Sequence, residues 1–88
     1  MKNLRDQERI AKGFANHKRI AILRLLKSNP DSAVMDISEE LGFGFQVTAQ
    51  HVAKLFAAGL ISKRQEGVII RHAITQLGRD ALRFLDRL

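Results

Sequence analysis

Two short helical stretches separated by a glycine-bracketed triplet do most to restrict what this chain can become. Asp36–Leu41 (DISEEL) and Phe45–Ala58 both read at helical period, and only Gly42-Phe43-Gly44 stands between them. Two helices joined by a tight glycine-containing turn form the helix-turn-helix pattern. The second helix has an unusual surface. Thr48, Val52, Leu55 and Phe56 fall on one side, while Gln46, Ala49, Gln50, Ala53 and Ala57 fall on others, and Lys54 is its one formal charge. Surface helices usually carry charged pairs on the outer face. A face of glutamine and alanine suits a groove lined with base edges instead, because it enters closely and still offers donors and acceptors.

The rest of the chain reads as support for that helix. Residues 3–14 suit a first helix with Leu4, Ile10, Ala11 and Phe14 inward, ended by Gly13. Asn16 is a good N-cap for His17–Ser28, the most apolar helix and the expected centre of the core. Asn29-Pro30-Asp31-Ser32 stops it. Val34–Leu41 follows, with Val34, Ile37 and Leu41 inward, Asp36 in its first turn and Gly42 at a left-handed C′ position. Gly59 ends the recognition helix in the same way. The period then changes: Leu60–Gln65 and Val68–Ile74 are short extended runs around Glu66-Gly67, a hairpin with Ile70 and Ile74 inward and Lys63, Arg64 and Arg71 on its exposed side. This hairpin forms a wing. Thr75 caps a last helix, Gln76–Leu88, striped by Leu77, Ala81, Phe84, Leu85 and Leu88. The expected fold is a single domain over residues 1–88, mainly α with a small β-hairpin: a winged helix-turn-helix of about five helices and a two-stranded wing.

Composition narrows the chemistry. The 88 residues carry a formal charge of +6, which favours a polyanionic partner without separating nucleic acid from an anionic membrane surface. No apolar run approaches the roughly 20 residues of a membrane span, and the opening MKNLRDQERI is too polar for a secretory signal. Cysteine is absent, so disulfides and thiolate ligands are excluded. His17, His51 and His72 make no recognisable metal spacing, and no Ser-His-Asp or paired-carboxylate arrangement is legible. The expectations are a cytoplasmic protein that is no enzyme, with no cofactor, no metal and no membrane contact.

Several segments resemble the ArsR-like family of bacterial and archaeal transcriptional regulators. Asn16-His-Lys-Arg-Ile-Ala-Ile-Leu-Arg-Leu-Leu26 resembles the family's opening, Asp36-Ile-Ser-Glu-Glu-Leu-Gly42 its Glu-Leu-Ala-x-x-Leu-Gly element, and His51-Val-Ala-Lys-Leu-Phe-Ala-Ala-Gly-Leu-Ile61 its His-Leu-x-x-Leu-x-x-Ala-Gly-Leu-Val run; Lys63–His72 occupies the wing. The match spans about residues 10–78. The resemblance implies a homodimer built from the first and last helices, with each recognition helix in a major groove of a partly palindromic duplex and the wings on flanking backbone. Carried across, the base-facing positions are Gln46, Val47, Ala49 and Gln50, and His51 matches a residue often near phosphate. Lys54, Lys63, Arg64 and Arg71 are read as further backbone contacts. The dimer seam is expected at Leu4, Ile10, Phe14, Leu77, Ala81, Phe84, Leu85 and Leu88. Two departures matter. The reading face carries Gln, Val, Ala and Gln where the family often has Ser, Thr, Ser and Arg. Val34-Met35-Asp36 stands where sensors of soft metals carry cysteines, and the last helix has no histidine. The expected function is therefore a dimeric, sequence-specific repressor without metal sensing. The rival is a winged-helix protein-interaction module with only non-specific DNA affinity.

Overall fold

The computed structural model describes residues 2–88. They form α1 Leu4–Phe14, α2 His17–Ser28, α3 Val34–Leu41, α4 Phe45–Ala57, β1 Ile61–Glu66, β2 Ile69–Ile74 and α5 Gln76–Asp86, in the order expected of a winged helix-turn-helix. The starts of α2, α3 and α5 are set by side-chain hydrogen bonds, which satisfy amides that have no partner within the helix, whereas α4 starts at Gly44 without one. Asn16 Oδ1 accepts from the amides of Lys18 and Arg19 at 3.0 and 3.2 Å, and Thr75 Oγ1 accepts from Gly78 N at 3.1 Å. The α3 start uses Asp36, whose carboxylate accepts from Ala33 N–H at 2.9 Å. At the C-terminal ends, Gly42 and Gly59 take positive φ, 71° and 77°, where a side chain would be strained.

Helix α2 is the centre of the molecule, as expected. Ile22, Leu23 and Leu26 are fully buried, and Ile37, Val52, Leu55, Leu60, Ile61 and Leu82 close around them. Burying each such aliphatic side chain stabilises by about 1.5–3 kcal/mol, and this term holds the helices together. Two hydroxyls then fix the helix-turn-helix corner. Ser38 Oγ donates to Phe43 O at 2.6 Å and Thr48 Oγ1 donates to Gly44 O at 2.8 Å. Both bonds engage backbone carbonyls of the turn. The Lys18 ammonium sits 5.3 Å from the centroid of the Phe43 ring and clasps the same corner from outside.

The wing is an antiparallel pair with Ile61 opposite Ile74, Lys63 opposite His72, Arg64 opposite Arg71 and Glu66 opposite Ile69, turned at Gly67. Its strands begin and end within a residue of their expected positions. The sheet has a further rung that strand periodicity does not announce. His72 N donates to Ser32 O, and Asp31 N donates to His72 O, both at 2.9 Å. The His72 ring reinforces it, with Nδ1 2.9 Å from Ser32 O. A carbonyl can only accept, so Nδ1 carries the hydrogen.

Several expectations about facing are corrected. Ile70 is 46% exposed, and His72 is the buried partner of Ile74 on the inward face. The hairpin extends past the body, so Ile70 projects beyond the core that His72 reaches. Lys63 shares the face of Ile61 and points toward α4, away from the face of Arg64 and Arg71. Phe56 is 45% exposed, with the Lys63 ammonium 4.3 Å from its ring centroid. On α1, Ile10 and Phe14 pack against the core while Leu4 and Ala11 are exposed. Gly13 does not end α1; it is buried one residue before the end, and a Cβ there would lie 2.6 Å from the Cβ of Ala58. Helix α5 has two apolar faces where one stripe was expected. Gly78, Ala81 and Leu82 are buried in the protomer, whereas Phe84 points outward; the helix ends at Asp86, short of the expected Leu88, which lies exposed beyond its C-cap.

Candidate nucleic-acid interface

Helix α4 lies on the core by Thr48, Val52 and Leu55, and its remaining surface divides into rows four residues apart. Gln46, Gln50 and Lys54 form one exposed row. Neither glutamine amide is hydrogen-bonded to protein among the described residues, so the donors and acceptors of both are free to meet a partner. Phe45, Ala49 and Ala53 form the adjacent row, facing the wing across a groove. Val47 is exposed on the other flank, one turn from His51. Of the four expected base-facing residues, Gln46, Val47 and Gln50 are exposed and Ala49 is half-buried.

His51 is half-buried beside α2. Arg19 Nη1 donates to its Nδ1 at 3.3 Å, which leaves the imidazole hydrogen on Nε2. Burial, then the positive charges of Arg19, Lys18 and His17, hold the imidazole below its ordinary pKa. The neutral ring keeps an N–H, which can donate to a phosphate. Arg19 also donates from Nη2 to Lys12 O at 3.2 Å, and so ties α1 to α4. Its Nε is buried without a hydrogen-bond partner among the described residues.

The wing cations behave differently from one another. Arg64 and Arg71 face each other across the strands, and such like-charge pairs are destabilising by themselves. Acids neutralise them. Arg64 reaches Glu66 at 2.9 Å and Asp31 at 3.3 Å, and Arg71 Nε reaches Glu66 at 3.3 Å. Arg71 Nη1 also donates to Asp31 O at 3.1 Å. Hydrogen bonds from Arg64 and Arg71 hold the Glu66 carboxyl below its ordinary pKa, and hydrogen bonds to Glu66 and Asp31 raise that of Arg64. These pairs are exposed and weak, so a phosphate can displace the carboxylates at little cost. Strand alternation carried the missing signal, because Arg64 and Glu66 are two residues apart and share a face.

The expected seam residues do not share one environment. Leu4, Phe84 and Leu88 are 83%, 56% and 87% exposed. Phe14 meets Phe84 edge to face, with ring centroids 6.5 Å apart, so α1 and α5 present one continuous surface. Ile10, Leu77 and Leu85 pack partly on the core. Ala81 is buried within the protomer and belongs to its own core, which corrects its expected place at a seam. His17 stands at the exposed start of α2, near His51, and His72, on β2 against Ser32, lies at the base of the groove between the wing and α4.

No family model and no curated relative matches the chain. Solved structures do. The homodimeric winged helix-turn-helix DNA-binding domain Mb0332 from Mycobacterium bovis, a possible ArsR-family transcriptional regulator, is 30% identical, with a TM-score of 0.78 over 92% of this chain and 72% of that one. HlyU from Vibrio cholerae is 26% identical, with a TM-score of 0.81 over 98% of this chain and 94% of that one. The transcriptional repressor PagR of Bacillus anthracis, at 22% identity and a TM-score of 0.76 over 90% of this chain and 93% of that one, shares the fold. The winged architecture, the capped helix-turn-helix corner and these likenesses agree: the chain belongs to the ArsR-like family of winged helix-turn-helix transcriptional regulators.

Proposed function

We propose that the protein is a homodimeric, sequence-specific DNA-binding repressor. One observation carries this reading: the second helix of the helix-turn-helix presents Gln46 and Gln50 with free amides on an exposed row. Glutamine can pair with adenine N6 and N7 in the major groove, and Val47 can meet a thymine methyl. Lys54 and Lys63, with His51 donating from Nε2, hold the flanking phosphates. Arg64 and Arg71 join them when phosphate takes the place of Glu66 and Asp31. Dimerisation through Leu4, Phe84 and Leu88 covers the apolar side chains that a protomer leaves in water. It also matches the printed description of the Mycobacterium bovis relative as homodimeric. Repression follows from occupancy, since a bound dimer blocks polymerase from its site. The protein is a binding protein and performs no catalysis.

Selection of bound sequences from random duplex DNA tests the reading. The expected product is a partly palindromic site whose half-sites lie about one helical turn apart. Enrichment of no sequence, together with a stable protein partner, would refute it in favour of an interaction module.

A further inference from the structure

The groove between α4 and the wing is the least expected surface of the molecule. Among the described residues, five of the ten exposed large apolar side chains line it: Met35 of α3, Phe45 of α4, and Val68, Ile69 and Ile70 at the wing tip. A concentration of apolar surface in one concavity marks a binding site more often than scattered exposed residues do. The concavity is an open groove of about 370 Å³, near the lower end of small-molecule sites. Its floor is buried protein, including His72, whose Nδ1–H is already committed to Ser32 O. Lys63 is the one formally charged residue in the lining, and its ammonium stands over the Phe56 ring at the groove's edge.

From this geometry we infer that the groove binds a small amphipathic anion, a carboxylate with an acyl or aromatic body, and that this ligand excludes DNA. The apolar body lies along Phe45 and Ile70, and the carboxylate takes the Lys63 ammonium. A neutral apolar guest would draw nothing from the Lys63 ammonium, and a cation would be repelled by it and by the net charge of +6. Duplex backbone would leave the apolar walls against charged phosphate. A ligand here lies against Ala49, one of the proposed base-facing residues, and takes Lys63 from the backbone. Ligand and operator would then compete directly, with no conformational relay. The antagonism rests on the DNA-binding reading above; the binding of the anion does not.

The experiment has two arms on the full chain. In the first, amide NMR shifts are followed during titration with decanoate below its micelle concentration, and with decylammonium as the opposite-charge control. Saturable shifts should appear at Met35, Phe45, Ala49 and Ile70, with decylammonium at least tenfold weaker. Ile70→Glu, at an exposed position that leaves the core intact, should weaken decanoate at least tenfold, and Lys63→Gln should weaken it severalfold. Equal binding of the two amphiphiles, or shifts spread over the whole surface, would overturn the site. So would concentration-dependent shifts of these amides without ligand, which would make the face a protein interface. In the second arm, saturating decanoate should lower affinity for the selected duplex at least tenfold in the wild type and not in Ile70→Glu. Undiminished affinity would overturn the antagonism. Failure to bind any duplex would instead sink the DNA-binding reading, and with it the antagonism, while the anion site would still stand or fall by the NMR titration.

Discussion

Replacing Gly78 by alanine should destabilise the protein by about 2 kcal/mol, although alanine is the better helix former. Gly78 is the third residue of α5, and intrinsic propensity alone would favour the substitution by roughly 1 kcal/mol. The surroundings decide otherwise. A Cβ there would lie 2.6 Å from Ile74 Cγ1 and well inside van der Waals distance of Leu60 O. Carbon atoms pack at about 3.5–4.0 Å, so relief needs a movement of about 1 Å. Neither neighbour yields readily. Ile74 is in the core, and Leu60 O accepts from Thr75 N at 3.1 Å, so moving it loosens the junction of α5 with the wing. Overpacking of this kind costs about 1–3 kcal/mol, and a weakened hydrogen bond about 1 kcal/mol more. After the propensity gain, a net loss of about 2 kcal/mol remains. For a domain of this size that lowers Tm by about 8–16 °C. Thermal unfolding followed by circular dichroism reads it directly. Gly44→Ala is the control, because a Cβ there meets nothing within 4 Å, and its Tm should move by no more than a few degrees. A Gly78→Ala protein as stable as wild type would refute the argument from close approach.

Four further outcomes follow from the interface. Gln50→Ala should cost on the order of 1–3 kcal/mol at one base position and little on random duplex; equal losses on both would remove Gln50 from the reading face. Glu66→Gln should release Arg64 and Arg71, raising random-duplex affinity about two- to fivefold and steepening the salt slope by about 1–2; an unchanged slope would show that the carboxylate does not restrain them. Since burial and neighbouring cations lower the pKa of folded His51, the unfolded chain takes up the proton first as pH falls below the ordinary value of 6.5. Urea midpoints should therefore drop between about pH 7 and pH 5.5, and more steeply in wild type than in His51→Gln. Phe84→Asp should give monomers by light scattering with an intact circular dichroism spectrum, and a variant that stays dimeric would place the seam elsewhere.

The helices and their order were legible because their ends are chemically marked. Asn16, Gly42, Gly59 and Thr75 sit where caps must sit, and Pro30 forbids continuation of α2. Periodicity likewise identified Thr48, Val52 and Leu55 as the buried side of α4. What stayed hidden depends on distance in the chain. Alternation puts Ile70, His72 and Ile74 on one face, yet it does not reveal how far the body reaches beneath the hairpin. The Ser32–His72 rung joins residues 40 apart, and the Asp31–Arg64 pair joins residues nearly as remote. Helix α5 defeats a one-stripe reading because its apolar residues cover more than one side: Leu82 serves the protomer, and Phe84 is largely exposed. The groove at the wing could not be foreseen from Val68, Ile69 and Ile70 alone, since its opposite wall is Met35 and Phe45.

The contact between Gly13 and Ala58 bears on how two protomers would hold their spacing. It joins the last turn of α1 to the C-cap of α4 with almost no side chain between them. Flexible side chains absorb small displacements by changing rotamer, but glycine and alanine have none to change. In a dimer joined through α1 and α5, a shift at the junction would pass to the far end of the reading helix as a tilt, much as a lever turns on a hard pivot. The distance between two such helices on a duplex is then geared to the backbone, and a tolerance of half-site spacing would have to come from bending the DNA.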